Sequence, residues 1–194
     1  MKREAIIGLF GFGVVGEALY QLLLSNQITK THIKHICVRD PEKKRSISPD
    51  KFCYDPETII QDEQVNLVVE LTNDDQEAYH IVKKSLIKGK SVVSANKKMV
   101  AHNLEEFMAL QEQTGSTLLY DASACGSIPV IRNLEEYYDN DLLKSISGIL
   151  NGSSNYMLSR MFKDNDTFDD SLKRAQELGF AESDPSIDVG GYDA

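Results

Sequence analysis

Apolar and polar positions change period repeatedly along this chain. Residues 4–9 read as a first strand and 14–25 as a helix, with Leu19, Leu22 and Leu23 at helical spacing. A strand is predicted at 33–38, then a polar loop at 39–50 rich in Lys, Arg and Pro. Residues 65–71 read as one apolar run, the pattern of a strand buried on both faces of a parallel sheet. A helix at 74–87 ends at Gly89, and a strand follows at 91–94. Asn103-Leu104-Glu105-Glu106 has the form of a capping box, opening a helix that runs to Thr114 and stops at Gly115. A further strand is predicted at 117–120. About five strands separated by helices predict an α/β fold with a doubly wound parallel sheet.

After Ala122 the pattern changes. Residues 128–138 read as a helix opened by Pro129, 142–150 as a strand and 155–162 as a helix. A last helix at 169–178 is stopped by Gly179, and a loop of Asp, Gly and Pro follows. One strand cannot make a sheet, so this region reads as an incomplete domain. The expected division is 1–125 and 126–194, with no internal repeat and no low-complexity linker.

The first strand-to-helix turn carries the chemistry. Gly11, Phe12, Gly13, Val14, Val15 and Gly16 form a G-x-G-x-x-G turn between predicted strand and predicted helix. Gly11 permits the tight turn, Gly13 lets a pyrophosphate approach the backbone, and Gly16 lets helix pack on strand. Free N–H groups at the helix N-terminus face the phosphate charge. The first domain is therefore predicted to be Rossmann-type and to bind a dinucleotide through these six residues. At the end of the second strand stands Arg39, then Asp40, Lys43, Lys44 and Arg45. Arg39 suits the 2′-phosphate of NADP, and Asp40 suits the ribose of NAD. The reading leans to NADP, with NAD as the alternative.

Charge and composition narrow the partners. The formal net charge is -9, which disfavours nucleic acid and anionic membranes. No apolar run reaches the ~18 residues of a membrane span. Glu4 and Glu17 interrupt any signal-peptide pattern at the start. Cys37, Cys53 and Cys125 show no metal spacing and fit a reducing compartment, so a cytoplasmic protein is expected.

Two further groups of side chains are candidates. Ser94-Ala95-Asn96-Lys97-Lys98 follows the fourth strand, at the edge where open α/β sheets bind ligands. Glu182, Asp184, Asp188 and Asp193 share a loop shaped by Pro185, Gly190 and Gly191, able to hold a substrate ammonium or simply to be a solvated acidic loop. The spacing of a calcium loop is absent.

Five stretches together resemble the homoserine dehydrogenase family. They are the glycine turn, Gly89 to Lys97, Gly126-Ser127-Ile128-Pro129, Ile149 to Tyr156, and Ala175 to Pro185. The resemblance implies NAD(P)-dependent interconversion of aspartate 4-semialdehyde and homoserine, in threonine and methionine biosynthesis. It implies a homodimer through an α+β substrate and dimerisation domain, of which the chain holds a truncated start. Lys97 matches a lysine near cofactor and substrate, and Thr72 a contact on the nicotinamide side. Glu182 and Asp193, with Gly179 nearby, match substrate-binding positions. Asp188 matches another acidic position, carried with Lys97 and Asp193 as catalytic. Asp121, Ala124, Gly126 and Ile128 match positions whose backbone carbonyls hold a sodium ion, although Cys125 and Ser127 depart from the family's loop.

The family's acid/base lysine follows the aspartate matched by Asp193 and falls beyond Ala194. The expectation is a fragment that is itself inactive, cut from a longer enzyme or from a bifunctional aspartate kinase–homoserine dehydrogenase. Two other readings stand beside it. One is a non-catalytic NAD(P)-binding regulatory module. The other is an aldehyde dehydrogenase that uses Cys125 as thiolate nucleophile.

Overall fold

A computed structural model describes residues 4–25, 30–126, 128–148, 151–181, 185–186 and 190. The chain divides into two units, Met1–Ser123 and Ala124–Ala194.

In the first unit, β1 (Ala5–Phe10) leads through the glycine turn into α1 (Val14–Ser25). β2 (Thr31–Cys37) is followed by the two-residue β3 (Phe52–Cys53) and the short α2 (Glu57–Ile60). β4 (Leu67–Glu70), α3 (Asp75–Ile87) and β5 (Ser91–Ser94) come next. α4 (Lys97–Thr114) and β6 (Leu118–Leu119) complete the sheet. The order is β3-β2-β1-β4-β5-β6, with every pair parallel. The doubly wound sheet expected from the alternating pattern is therefore present. Between β1 and β4 the winding reverses, and a crevice opens at their carboxyl ends.

Successive side chains of a strand point to opposite faces, so a central strand feeds two cores. Ile7 and Leu9 of β1 pack with Ile36, Val69 and the α1 residues Leu19 and Leu23. Phe10 points the other way, into a group with Val68, Val92, Leu86, Met99 and Phe107. Gly8 lies on that second face because a Cβ there would strike the Ile59 side chain.

Three details differ from the sequence expectation. β3 makes a sixth strand, too short to show a period. α4 begins at Lys97 and not at Asn103. Its cap is Asn96, whose side chain accepts from Met99 N at 2.9 Å. Asn103 lies within the helix and donates to the Met99 carbonyl at 2.8 Å, so its capping-box pattern is only a polar helix face. The run at 65–71 also contains two polar residues with structural duties. Asn66 accepts from Ile6 N at 3.0 Å and donates to Glu4 O at 2.8 Å, and Glu70 is completely buried.

The second unit contains α5 (Val130–Tyr137), α6 (Gly152–Asp164) and α7 (Phe168–Glu177). Asn151 caps α6 by accepting from Ser154 N, and Thr167 caps α7 by accepting from Asp170 N. Met157, Ala175 and Ala181 form a small core, with Tyr156 against Phe180 at 4.8 Å between ring centroids. The strand expected at 142–150 does not form over its described part. Among the described residues this unit has no second strand to share hydrogen bonds with, and a lone strand is not stable. Ile149 and Leu150 lie outside the described residues. Among the described residues, no helix is long and apolar enough to cross a membrane.

Asp62 ties β2 to the turn before β4. It accepts from Lys34 Nζ at 2.5 Å and Gln64 N at 2.9 Å, and it lies 2.7 Å from His35 Nε2. The Lys34 ammonium, then the Gln64 amide and His35, hold its carboxyl well below the usual aspartate range. A lowered carboxylate stabilises the fold above its unfolded pKa, and that stability is lost as pH falls through the folded value. Asp62→Asn should therefore cost about 1 kcal/mol at neutral pH, after allowing for solvent screening. Its unfolding curve should meet that of the wild type in strong acid. A difference that persists unchanged in acid would remove this role from Asp62.

Candidate active site

The glycine turn is built by close contacts. Gly11 takes φ 91°, a left-handed conformation that side chains resist. A Cβ on Gly11 would lie 2.6 Å from the Leu71 carbonyl oxygen. A Cβ on Gly16 would lie 2.5 Å from the Gly11 carbonyl oxygen. Gly13 is different, with nothing within 4 Å of its Cβ position. The open space lies beside the first turn of α1, whose N–H groups have no acceptor inside the helix. Phe12 is buried against Tyr20 and Phe52 at ring-centroid distances of 5.7 and 5.3 Å, which anchors the turn. Val14 and Val15 are exposed.

From this turn a cleft of about 790 Å³ extends past the end of β2 and the loop after β4. Arg39, Lys43 and Arg45 line it, facing Asp40, Asp74, Asp75 and Glu77. The cations do not stand unopposed. Arg39 Nη2 lies 2.5 Å from Glu77 Oε2 and 3.4 Å from Asp74 Oδ2. The hydrogen bond to Glu77 raises the guanidinium further above its usual range. Arg45 turns inward, donating to Asp40 O and Lys43 O at 2.8 Å and covering the Phe52 ring at 5.1 Å. Asp74 is also the N-cap of α3, accepting from Gln76 N and Glu77 N at 3.0 Å. The Glu77 amide is the main cause of its lowered pKa. Lys43 and Lys44 line a smaller cleft with Gly13 and Val14.

Cys37 and Cys53, far apart in the sequence, stand opposite each other on β2 and β3. Hydrogen bonding to Cys53 and burial push the Cys37 thiol up.

On the other side of β1, the ends of β4 and β5 carry a hydrogen-bonded group. Glu70 Oε1 accepts from Thr72 N and Thr72 Oγ1, both at 2.6 Å. Glu70 Oε2 accepts from Ser94 Oγ at 2.6 Å. Asn96 N donates to Ser94 Oγ at 3.1 Å, and Asn96 Nδ2 donates to Thr72 O at 3.1 Å. Lys97 is the exposed first residue of α4, next to its cap. Lys98 Nζ pairs with Asp75 Oδ1 at 3.1 Å. The sequence pointed to the Ser94–Lys98 segment, and the family resemblance to Thr72, but neither pointed to Glu70. The signal for Glu70 was an acid ending an apolar strand at the ligand edge of the sheet.

The NAD binding domain model of homoserine dehydrogenase matches residues 11–121, and the homoserine dehydrogenase model matches 129–194. The chain belongs to the homoserine dehydrogenase family. It is 41% identical to a homoserine dehydrogenase of Helicobacter pylori, over 100% of this chain and 47% of that protein. A Bacillus subtilis homoserine dehydrogenase is 34% identical over 97% of this chain and 46% of its own length. The crystal structure of a homoserine dehydrogenase from Thiobacillus denitrificans superposes with a TM-score of 0.83, at 33% identity, covering 97% of this chain and 46% of that one. The chain thus spans just under half the length of these relatives.

The other residues that the homoserine dehydrogenase resemblance marks fall in one unit or the other, or outside the described residues. Gly179 follows α7 with φ 76°. Asp121 opens a single 3-10 turn in the first unit, whereas Ala124, Gly126 and Ile128 belong to the second. Cys125 and Gly126 are both left-handed, at φ 57° and 58°. The Ile128 carbonyl already accepts from Val130 N at 2.8 Å. Ser127, Glu182, Asp184, Asp188 and Asp193 lie outside the described residues. Among the described residues, no three His, Cys, Asp or Glu side chains gather as a metal site.

The two glycines of the turn should separate on substitution. Gly16→Ala forces a Cβ onto a backbone oxygen and should cost about 1–3 kcal/mol in denaturant unfolding. Gly13→Ala meets open space and should stay within about 0.5 kcal/mol of wild type. It should instead weaken dinucleotide binding about tenfold or more, by filling the space for the pyrophosphate. Equal loss of stability in both variants would contradict these contacts.

Proposed function

We propose that this chain supplies the nucleotide-binding part, and the beginning of the substrate-binding part, of a homoserine dehydrogenase. The observation that carries the reading is the open glycine cradle at the β1/β4 crevice, with Thr72 in the loop after β4 and Lys97 opening α4 after β5. The reaction is the reversible conversion of aspartate 4-semialdehyde and homoserine. When bound, a nicotinamide dinucleotide supplies or accepts the hydride. Our domain division is 1–125 for the nucleotide and 126–194 for the start of the catalytic region.

In this reading the chain's residues bind, orient and move a proton. Gly11, Phe12, Gly13, Val14, Val15 and Gly16 hold the pyrophosphate through backbone N–H groups and the N-terminus of α1. Thr72 lies against the nicotinamide half. The Lys97 ammonium polarises the aldehyde oxygen and carries the proton that oxygen gains or loses. Glu182 and Asp193, with Gly179, hold the amino and hydroxyl ends of homoserine through charge-assisted hydrogen bonds, and Asp188 adds negative charge beside them. A sodium ion on the carbonyls of Asp121, Ala124, Gly126 and Ile128 rests on the family's loop alone and enters no step. A cytoplasmic homodimer completes the proposal.

Arg39 makes NADP the preferred form, with NAD the alternative. The carboxylates that already engage Arg39 work against that preference, because they would face a 2′-phosphate. Arg39→Ala should therefore weaken NADP⁺ about tenfold and leave NAD⁺ nearly unchanged. Glu77→Gln should strengthen NADP⁺ a few-fold. An equal NADP⁺/NAD⁺ ratio in wild type and Arg39→Ala would sink the NADP preference.

Homoserine oxidation tests the whole reading, assayed in a polypeptide of the relatives' full length. Lys97→Ala should lower kcat at least about a hundredfold, the scale of an acid/base group. A near-normal kcat would take Lys97 out of the mechanism, and no homoserine-dependent turnover in wild type would refute the function.

A further inference from the structure

Glu70 ends β4 with no solvent exposure. Burying a carboxyl group is costly unless its oxygens are well hydrogen-bonded. Burial raises its pKa, and the bonds from Ser94 and Thr72 oppose that rise. Its side chain takes three donors: Thr72 N and Thr72 Oγ1 in the loop after β4, and Ser94 Oγ of the last residue of β5. Ser94 Oγ then accepts from Asn96 N, and Asn96 reaches back to Thr72 O. The ring of bonds closes through Glu70, Thr72, Asn96 and Ser94. Asn96 Oδ1 also caps α4, where Lys97 is the first residue.

The strand order decides which half of a dinucleotide these loops meet. Arg39 follows β2, on one side of β1. Glu70 and Ser94 end β4 and β5, on the other. Arg39 thus belongs to the adenosine side and the Glu70 ring to the nicotinamide side.

We propose that Glu70 is a positioning residue: it fixes the loops after β4 and β5 in the one arrangement that receives the nicotinamide half of the dinucleotide. The proposal rests on the dinucleotide reading above. It also explains why the position is an acid. An ionised carboxylate only accepts, and can take two donors on one oxygen and a third on the other. A glutamine keeps an oxygen for Thr72 but turns an N–H toward Ser94, so the link to β5 must rearrange.

The test compares two ligands that differ only in the nicotinamide half. ADP-ribose (or its 2′-phosphate) reports the adenosine side, and NAD⁺ (or NADP⁺) reports both. Calorimetric titration of the full chain should show NAD(P)⁺ weakened about tenfold in Glu70→Ala and a few-fold in Glu70→Gln. ADP-ribose affinity should change less than about twofold in both. Ser94→Ala breaks the same link from the other side and should match Glu70→Gln. If Glu70→Ala does not fold, ADP-ribose binding is lost with it, and the Glu70→Gln and Ser94→Ala variants decide. Parallel loss of both ligands in these milder variants, or no loss of either, overturns the positioning role. Failure of the wild type to bind either ligand overturns the dinucleotide reading itself, and this proposal with it.

Discussion

The distance between the Gly16 backbone and the Gly11 carbonyl governs the first unit. No side chain fits there, since even a methyl would sit 2.5 Å from that oxygen. That contact lets α1 lie directly on β1, and the helix axis then starts at the mouth of the β1/β4 crevice. Leu71 closes the same turn from the β4 side, where its N donates to Phe10 O at 2.9 Å. The helix N-terminus, the turn and the loop after β4 are thus fixed together. The space beside Gly13 is left open by backbone packing and not by a side chain that might swing away.

Two kinds of electrostatics meet in the cleft. Backbone amides at the start of α1 give a fixed positive end that no titration alters. The side chains further along nearly cancel: Arg39 is paired with Glu77 and Asp74, and Arg45 is spent on loop carbonyls. Attraction for a dinucleotide therefore comes mainly from oriented peptide groups.

The sequence revealed the fold wherever a long period was repeated. The β1-turn-α1 unit, α3 and the doubly wound order all follow from runs of apolar residues and from the glycine spacing. Short elements escaped, because two residues of β3 have no period. The start of α4 was misjudged because Asn103 with two glutamates imitates a cap, whereas Asn96 is the residue whose side chain meets a free amide. The strand expected at 142–150 had the right residues but no described partner for its backbone, a tertiary condition that composition does not carry. In the site, the glycines were legible as a motif, Arg39 and Lys97 by their places after strands, and Thr72 only through the family resemblance. The Glu70 ring was not, since it depends on parallel register between β4 and β5, which brings Glu70 opposite Ser94.

The two outermost strands of the sheet have a consequence for the protein in a crowded cell. β3 and β6 are each two residues long. An outer strand exposes backbone donors and acceptors to any extended chain that drifts past, and a long flat one acts as a template for aggregation. On β3 or β6 itself a visiting strand would find a rung or two of ladder, too little to repay the entropy of being held. β4 and β5, whose Val68, Val69, Val92 and Val93 would suit stacking with copies of themselves, each have a parallel strand on both sides.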